Sequence, residues 1–139
     1  MEAIERSAEK TAQELPRGSR VAVVAFESAS VSLSENIMEE LNGALRDCGV
    51  NVVDRQNLKH ILQEQNFQMS GNVDDNTACS IGKMLGADMV ITGQLTSFGT
   101  AYRYRISAIN VETAARESIT RLDVRVDREL QSMLDGVQR

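Results

Sequence analysis

The feature that most constrains the fold is an unbroken apolar run, Val21–Phe26, in a chain of 139 residues. Strands covered by helices on both faces carry such runs, whereas a strand with one solvent-exposed face alternates apolar and polar residues. The run therefore predicts a central strand in the sheet of an α/β domain. The length suits one domain with one core. With three Phe, two Tyr and no Trp, that core must be mainly aliphatic.

Helical periodicity surrounds this strand. A weak apolar stripe predicts a helix over 2–15, and a stronger stripe predicts another helix after the strand. We expect Ser32 and Glu35 to form a capping box at the start of that second helix. We expect Gly49 to adopt the left-handed conformation at its end. A short strand is then predicted over Val50–Val53.

Two more helices are predicted after the short strand. Asp54 is suited to cap the first of them, a loop with Gly71 follows, and Gly86 closes the second. Right-handed crossovers would place the helix after the first strand and this later pair on opposite faces of the sheet.

The rest of the chain predicts three consecutive strands and a terminal helix. The strands are expected over 89–98, 102–111 and 117–126, and an amphipathic helix, docked on this domain, over 127–138. The predicted organisation is an amino-terminal helix and connector (1–18), an α/β domain (19–126) and a carboxy-terminal helix (127–139).

Turn chemistry predicts the register of the three strands. A two-residue turn fits 98–101, and an odd-length loop fits the region of 113–115. The expected cross-strand pairs are Leu95 with Tyr104, Gly93 with Ile106, Ile91 with Ala108, Tyr104 with Val124, Ile106 with Leu122, Tyr102 with Val126 and Arg105 with Asp123. A one-residue slip would place Arg121 and Arg125 on the apolar face, which the core would not tolerate.

The opposite face of these strands is the candidate interaction surface. It is expected to present Gln94, Thr96, Arg103, Arg105, Ser107, Arg121 and Arg125, with Val90, Ile109 and Ile119 at one end. One interpretation is a solvated face whose apolar end is covered by the terminal helix. The other is a binding surface for an acidic protein or a symmetric self-contact, because arginines on a rigid sheet bind carboxylates with defined geometry.

Residues suited to catalysis or metal binding are few. His60 is the only histidine, and Cys48 and Cys79 stand in no metal-binding motif. A buried structural thiol is the favoured interpretation of each cysteine, and a disulfide between them stays open. Gly82-Lys83 falls inside a helix and before a strand, the reverse of a phosphate-binding loop. We therefore expect no catalytic residue, no metal and no cofactor.

Charge argues against nucleic acid as a partner. The net charge is −5, and acidic residues dominate between 27 and 75, where a solvated acidic face is the favoured interpretation. No apolar run is long enough for a transmembrane helix. The start, Met1–Glu5, is not a signal peptide, so we expect either a cytosolic protein or one whose export segment was removed.

Several short motifs follow one another in a specific order. They are Val53-Asp54-Arg55 followed by Leu58, Ile61-Leu62 and Glu64-Gln65, then Ile81-Gly82-Lys83, Leu85-Gly86-Ala87-Asp88 and Thr92-Gly93. In this order and spacing they resemble the CsgG superfamily over about residues 19–126. The resemblance implies a three-layer α/β/α fold like that of anticodon-binding domains. Its mixed five-stranded sheet would have the order 2-1-3-4-5, with strand 4 antiparallel.

The resemblance also implies how such a protein works. It implies a periplasmic, non-catalytic protein-interaction or assembly module of an outer-membrane-associated lipoprotein, in envelope secretion or activation of penicillin-binding proteins. The chain has no room for membrane-spanning hairpins and no lipobox cysteine, so a lipid anchor is expected upstream of Met1. The motif residues that we expect to be structural are Asp54, Arg55, Gly82, Gly86, Asp88 and Gly93. The alternatives are a nucleic-acid-binding domain of this fold, or an enzyme with an unrecognised carboxylate and arginine site.

Overall fold

The apolar run Val21–Phe26 is buried along its whole length within one strand of a sheet. This computed structural model describes residues 2–65, 74–98 and 101–124. In chain order the elements are α1 (Glu2–Glu14), β1 (Arg20–Glu27), α2 (Val31–Asp47), β2 (Asn51–Val52), α3 (Arg55–Gln65), α4 (Asp75–Leu85), β3 (Met89–Phe98), β4 (Ala101–Asn110) and β5 (Arg116–Val124).

The strands form one mixed sheet in the order β2-β1-β3-β4-β5. β1 pairs in parallel with both β2 and β3, whereas β4 is antiparallel to its neighbours β3 and β5. The predicted strand order and the antiparallel fourth strand are confirmed. Helices flank the sheet on both faces, which gives the predicted α/β/α layers.

Two apolar cores lie on opposite faces of the sheet. On one face, which we call the α1–α2 side, Ile4 and Leu41 pack with Tyr104 of β4. On the other, the α3–α4 side, Leu58 and Ile81 pack against residues of β1 and β3. The expectation that α2 and the later helix pair lie on opposite faces is therefore confirmed. β1 contributes to both cores, which explains why its sequence is apolar without alternation.

A buried hydrogen bond holds α1 against the sheet. The Ser7 hydroxyl donates to the carbonyl of Ile4 at 2.8 Å. It lies 2.9 Å from the Tyr104 hydroxyl, which is therefore the donor of the second bond. Tyr104 is fully buried, and burial raises its pKa far above the usual value. The docking of α1 thus includes a specific polar contact besides apolar burial.

The start of α2 differs from the predicted capping box. Ser30 is the N-cap: its backbone is extended, and its hydroxyl accepts a hydrogen bond from the backbone N–H of Leu33 at 3.1 Å. The predicted Ser32–Glu35 box is wrong, because Ser30 already caps the helix and leaves Ser32 inside it. The other end follows the prediction, since Gly49 has a φ of +84°.

The register between β3 and β4 is the predicted one. Leu95 lies opposite Tyr104, and the other two predicted pairs are also present. Phe98 pairs with Ala101, so two residues connect the strands as expected. Those two residues themselves lie outside the described part of the chain.

The predicted register between β4 and β5 is wrong by two residues. The observed pairs are Tyr102 with Val124, Tyr104 with Leu122, Ile106 with Thr120, Arg105 with Arg121 and Arg103 with Asp123. Because the error is an even number, each residue stays on its predicted face. The buried face is more polar than expected, since Ser118 and Thr120 occupy it and their hydroxyls have no hydrogen-bond partner among the described residues.

The turn after β4 explains the difference in register. The side-chain oxygen of Asn110 accepts hydrogen bonds from the backbone N–H groups of Glu112 and Thr113 at 2.9 and 3.2 Å. Ala114 adopts a φ of 59°, and its N–H donates to the Asn110 carbonyl at 2.8 Å. The prediction centred the loop on 113–115 and gave Asn110 no role. Because the Asn110 side chain bonds the backbone N–H groups two and three residues later, the chain begins to turn at Asn110, before the predicted loop.

Some predictions fall outside the described residues. They concern the loop with Gly71, the helix over 127–138, and the positions of Arg125 and Val126. In the part of the chain that the structure describes, no helix has the length and apolarity needed to cross a membrane.

Candidate functional site

The candidate surface lies on the α3–α4 side of the outer strands. Gln94 and Thr96 of β3 lie opposite Arg105 and Arg103 of β4. β5 adds Arg121, directly opposite Arg105. We call these residues together the arginine face. The sheet thus brings the described members of the predicted set side by side.

Arg105 and Arg121 form a like-charged pair in the middle of this face. Side chains directly opposite each other on antiparallel strands have Cβ atoms about 4.5–5.5 Å apart, so two positive charges there repel. Arg105 is half-buried and Arg121 is exposed. Among the described residues, no carboxylate forms a salt bridge with either side chain. This arginine pair therefore offers two guanidinium groups whose donors suit carboxylate oxygens.

Arg103 differs from the arginine pair because it has an acidic neighbour. Its Nε lies 3.3 Å from Oδ1 of Asp123; the Arg103 side chain is half-buried and that of Asp123 is exposed. A surface ion pair of this kind contributes only about 0–1 kcal/mol. The predicted contact of Asp123 with Arg105 is wrong, since the two-residue change of register moves Asp123 to Arg103.

Arg116 shows what an arginine with a structural role looks like in this sheet. Its Nε and Nη2 donate to the two carboxylate oxygens of Asp75 at 3.2 and 3.1 Å. Its Nη1 donates to the buried Ser107 hydroxyl at 2.9 Å. This fork joins the first turn of α4 to the start of β5. Sequence reasoning missed it, because no local pattern links residues that far apart in the chain.

The apolar end of the face is mostly covered. Val90 and Ile109 are fully buried and belong to the core on the α3–α4 side, where α4 lies over them. Ile119, on the same side of β5, remains 42% exposed. The open part of the face therefore combines the arginine pair with one exposed apolar side chain.

The cysteines do not form a disulfide with each other. Cys79 is buried as expected, whereas Cys48 is exposed, so the prediction of a buried thiol is wrong for Cys48. Burial first, and the charge of Asp75 second, raise the pKa of the Cys79 thiol. Within the described ranges, no three His, Cys, Asp or Glu side chains are grouped so that they could hold a metal ion.

Sequence comparison identifies the family. The family model described as "Curli production assembly/transport component CsgG" matches residues 11–128. The chain belongs to the CsgG family. A comparison with curated protein sequences finds no match.

Solved structures share the fold of this CsgG-family chain. The LpoB C-terminal domain from Salmonella enterica has a TM-score of 0.74 at 19% identity, over 90% of this chain and 97% of that one. The LpoB C-terminal domain from Escherichia coli has a TM-score of 0.67 at 16% identity, over 88% and 98%. A lipoprotein from Neisseria meningitidis has a TM-score of 0.59 at 15% identity, over 86% and 92%. At these identities the likeness shows the fold.

Two of the CsgG-like motif glycines allow close packing. A Cβ on Gly82 of α4 would lie 2.5 Å from Val90 and 2.8 Å from Val111, so only a glycine lets α4 approach the sheet. A Cβ on Gly93 of β3 would lie 2.7 Å from the Phe26 ring and 2.8 Å from the carbonyl oxygen of Arg105. Both positions therefore serve the packing of the inner strands.

The polar motif residues hold the chain at the ends of elements. The Asp54 carboxylate accepts a hydrogen bond from the backbone N–H of Gln56 at 2.9 Å, which is the predicted cap of α3. The Asp88 carboxylate accepts from the backbone N–H of Arg20 at 2.9 Å. Gly86 has a φ of +69° and ends α4 in the predicted left-handed conformation. The side chain of Arg55 lies outside the described residues.

Proposed function

We propose that this chain is a non-catalytic protein-interaction module of the bacterial envelope that works in the periplasm and binds an acidic protein surface through its arginine face. The observation that carries the proposal is the arginine pair. Arg105 and Arg121 lie directly opposite each other, and no described carboxylate neutralises them. Like charges held together on a rigid sheet disfavour the free surface, so binding of a carboxylate there relieves repulsion and gains charge-assisted hydrogen bonds.

Family membership supports the cellular setting of the proposal. The matching family is described as an assembly and transport component, and a similar fold occurs in a lipoprotein. On this support we propose that the module acts in envelope secretion or in activation of a peptidoglycan synthase, with a lipid anchor at the outer membrane in the full-length protein. Ile119 adds an exposed apolar contact beside the arginine pair, as expected for the centre of a small interface.

The test is a charge reversal on the arginine face. The tagged chain and its R105E/R121E variant are crosslinked in envelope extract, and captured proteins are identified by mass spectrometry. Candidates are then purified and titrated against both chains. We expect a direct complex with the wild-type chain whose Kd rises by about tenfold or more in the variant, since attraction is replaced by repulsion.

The matched control carries the same change of charge elsewhere. R17E/K83E alters two exposed residues that are not part of the arginine face. It should bind as the wild-type chain does, and the melting temperatures of all three chains should agree closely. Equal binding by R105E/R121E and the wild-type chain would contradict the proposed surface. Specific capture of nucleic acid instead of protein would contradict the proposed class of partner.

A further inference from the structure

β5 forms one edge of the sheet, and within the described ranges no strand pairs with its outer side. In an antiparallel pair only every second residue bonds the partner strand, and the residues between them direct their backbone groups to the other side. Asn110 of β4 bonds toward the β5 side, since its N–H donates to the Ala115 carbonyl at 2.8 Å. By alternation Ile106 and its partner Thr120 also bond each other. The odd-numbered residues from 119 to 123 therefore point their N–H and carbonyl groups outward.

A side chain from α1 agrees with this orientation. Nζ of Lys10 donates to the Ile119 carbonyl at 2.9 Å. The same ammonium lies 3.7 Å from Oε1 of Glu14, and both side chains are exposed. Lysine is a common means of protecting a strand edge from unwanted pairing. Here it bonds one outward carbonyl, whereas no described residue bonds the outward backbone groups of Arg121 and Asp123.

Basic side chains border this edge on both faces of the sheet. Lys10 lies on the α1–α2 side, and Arg6 lies one turn earlier on the same side of α1, because residues four apart share a helix face. Arg121 lies on the α3–α4 side, and all three side chains are exposed. The nearby Asp123 lies beside Arg103. A strand added to this edge alternates its side chains between the two faces, so its carboxylates meet basic groups on either side.

The edge also offers one apolar contact. Ile119 lies two residues before Arg121, so both side chains are on the same face, and Ile119 is 42% exposed. Side chains of an added strand lie beside those of β5, at the spacing of about 4.5–5.5 Å between the Cβ atoms of a cross-strand pair. The segment that fits this edge is therefore extended, acidic at alternate positions, and apolar next to Ile119.

We propose that the outer edge of β5 binds an extended acidic segment of a partner protein, which adds to the sheet as a further strand. The proposal rests on the proposed function, because Arg121 takes part in both, and it specifies how the acidic partner binds. The outward groups of Ile119, Arg121 and Asp123 pair with the backbone of the segment, and this pairing supplies affinity. Arg121 and the basic side chains of α1 select its carboxylates. On binding, the Ile119 carbonyl exchanges the Lys10 ammonium for a backbone N–H, and Lys10 turns to a carboxylate of the segment.

The experiment measures backbone pairing separately from charge. The probe is a fluorescent peptide about as long as β5, made of alternating Glu and Thr with Val in place of the central Glu. Two further peptides keep every side chain but carry methyl groups on the backbone nitrogens of one alternating set of residues or of the other. Only one set of N–H groups can face β5, so one methylated peptide should bind like the parent, while the Kd of the other rises by about tenfold or more. Equal Kd values for the two methylated peptides, or no binding of the parent at low salt, would overturn the proposal.

The matching change in the protein is Ile119→Pro, which removes an outward N–H that β4 does not use, as edge strands allow. Its Kd for the parent peptide should exceed that of Ile119→Val, which keeps the N–H, by about tenfold. Hydrogen exchange of the wild-type chain gives a measurement that does not depend on the proline variant folding. The peptide should slow exchange of the amides of Ile119, Arg121 and Asp123, and unchanged exchange at these positions would contradict strand addition.

Two outcomes distinguish this inference from its alternatives. If R105E/R121E loses the parent peptide while both methylated peptides bind the wild-type chain equally, carboxylates bind the arginine face without adding a strand. The proposed function then stands and this inference fails. If the wild-type chain without peptide self-associates in sedimentation velocity, and Ile119→Pro abolishes the association, the edge pairs with a second copy, and the proposed acidic partner is wrong.

Discussion

The inner strands and the outer hairpin of this sheet differ in how their α3–α4 side is used. Next to β1 and β3, that side is covered by α3 and α4, and Gly82 allows the contact of helix and sheet. On β4 and β5 the same side presents the arginine pair, with no ion pair to a described carboxylate. The family motifs lie in the packed half and account for its geometry. The arginine pair, which we propose as the recognition surface, lies on strands that carry none of the family motifs.

The largest effect is expected from a methyl group added to the inner strands at Gly93, which packs against Phe26 on the α1–α2 side. In Gly93→Ala the new Cβ would lie 2.8 Å from a backbone carbonyl oxygen, which cannot move without disturbing the pairing of β3 with β4. Overpacking of this kind destabilises by about 1–3 kcal/mol, and we expect the upper end. Urea denaturation followed by circular dichroism measures it. A change below about 0.5 kcal/mol would mean that the inner strands tolerate side chains as a surface does.

The next test removes the polar contact beneath α1. Tyr104→Phe keeps the ring in the core and deletes the hydroxyl that bonds Ser7. We expect a loss of about 1 kcal/mol at neutral pH. At alkaline pH the stability difference between the wild-type chain and the variant should shrink. The unfolded tyrosine ionises near pH 10, while burial keeps folded Tyr104 protonated, so the wild-type free energy of unfolding falls above about pH 10. The variant lacks this contribution.

Denaturation of both chains between neutral and alkaline pH measures the difference. The wild-type chain should lose its advantage as the pH rises through this range. A difference that stays constant would show that the Tyr104 hydroxyl is not the group whose ionisation is suppressed.

Substitution of a glycine in the interior of α2, Gly43, should change stability in the opposite direction from substitution of Gly93. Gly43 is exposed, and an added Cβ meets open space. Gly43→Ala should therefore raise the free energy of unfolding by about 1 kcal/mol, through helix propensity alone. Urea midpoints of Gly43→Ala and Gly93→Ala, measured together, give the comparison. Destabilisation by Gly43→Ala would show that the space beside Gly43 is filled in solution.

Much of the fold was predictable because local signals agreed with the tertiary structure. The apolar run identified β1 as central, and Asp54, Gly49 and Gly86 marked ends of elements correctly. The β3–β4 register followed from a two-residue connection. Each of these signals acts over a few residues, so the sequence alone contains what is needed to interpret it.

The errors arose where side-chain hydrogen bonds set the register of a strand pair, or where residues far apart in the sequence come together in the fold. Asn110 sets the β4–β5 register through its own hydrogen bonds. The predicted and observed registers differ by two residues, so both keep the same side chains on the buried face, and the alternation of apolar residues does not distinguish them. The members of the arginine face were predicted, but their neighbours on β5 depended on that register. Asp123 was predicted opposite Arg105 and lies opposite Arg103 instead. An acidic groove between α1 and α2 is lined by Glu5 and Glu9 from one helix and Glu39 and Glu40 from the other, and only the packing of the two helices brings these carboxylates together.

The smallest predicted effect tests the arginine pair itself. Arg121→Gln removes one of two like charges that face each other across β4 and β5, whereas Arg103→Gln removes a charge that lies beside Asp123. Opposed like charges destabilise a strand pair by about 0.2–1 kcal/mol. We therefore expect Arg121→Gln to raise the free energy of unfolding slightly at low salt, and Arg103→Gln to leave it unchanged or lower it. Urea midpoints at low and high salt measure both, and the gain in Arg121→Gln should vanish at high salt, because salt screens exposed charges. Equal destabilisation by the two variants would mean that Arg121 is held by a partner in the free protein. In that case the outer hairpin is a packed surface like the inner strands, and its arginine charges are already neutralised before any partner binds.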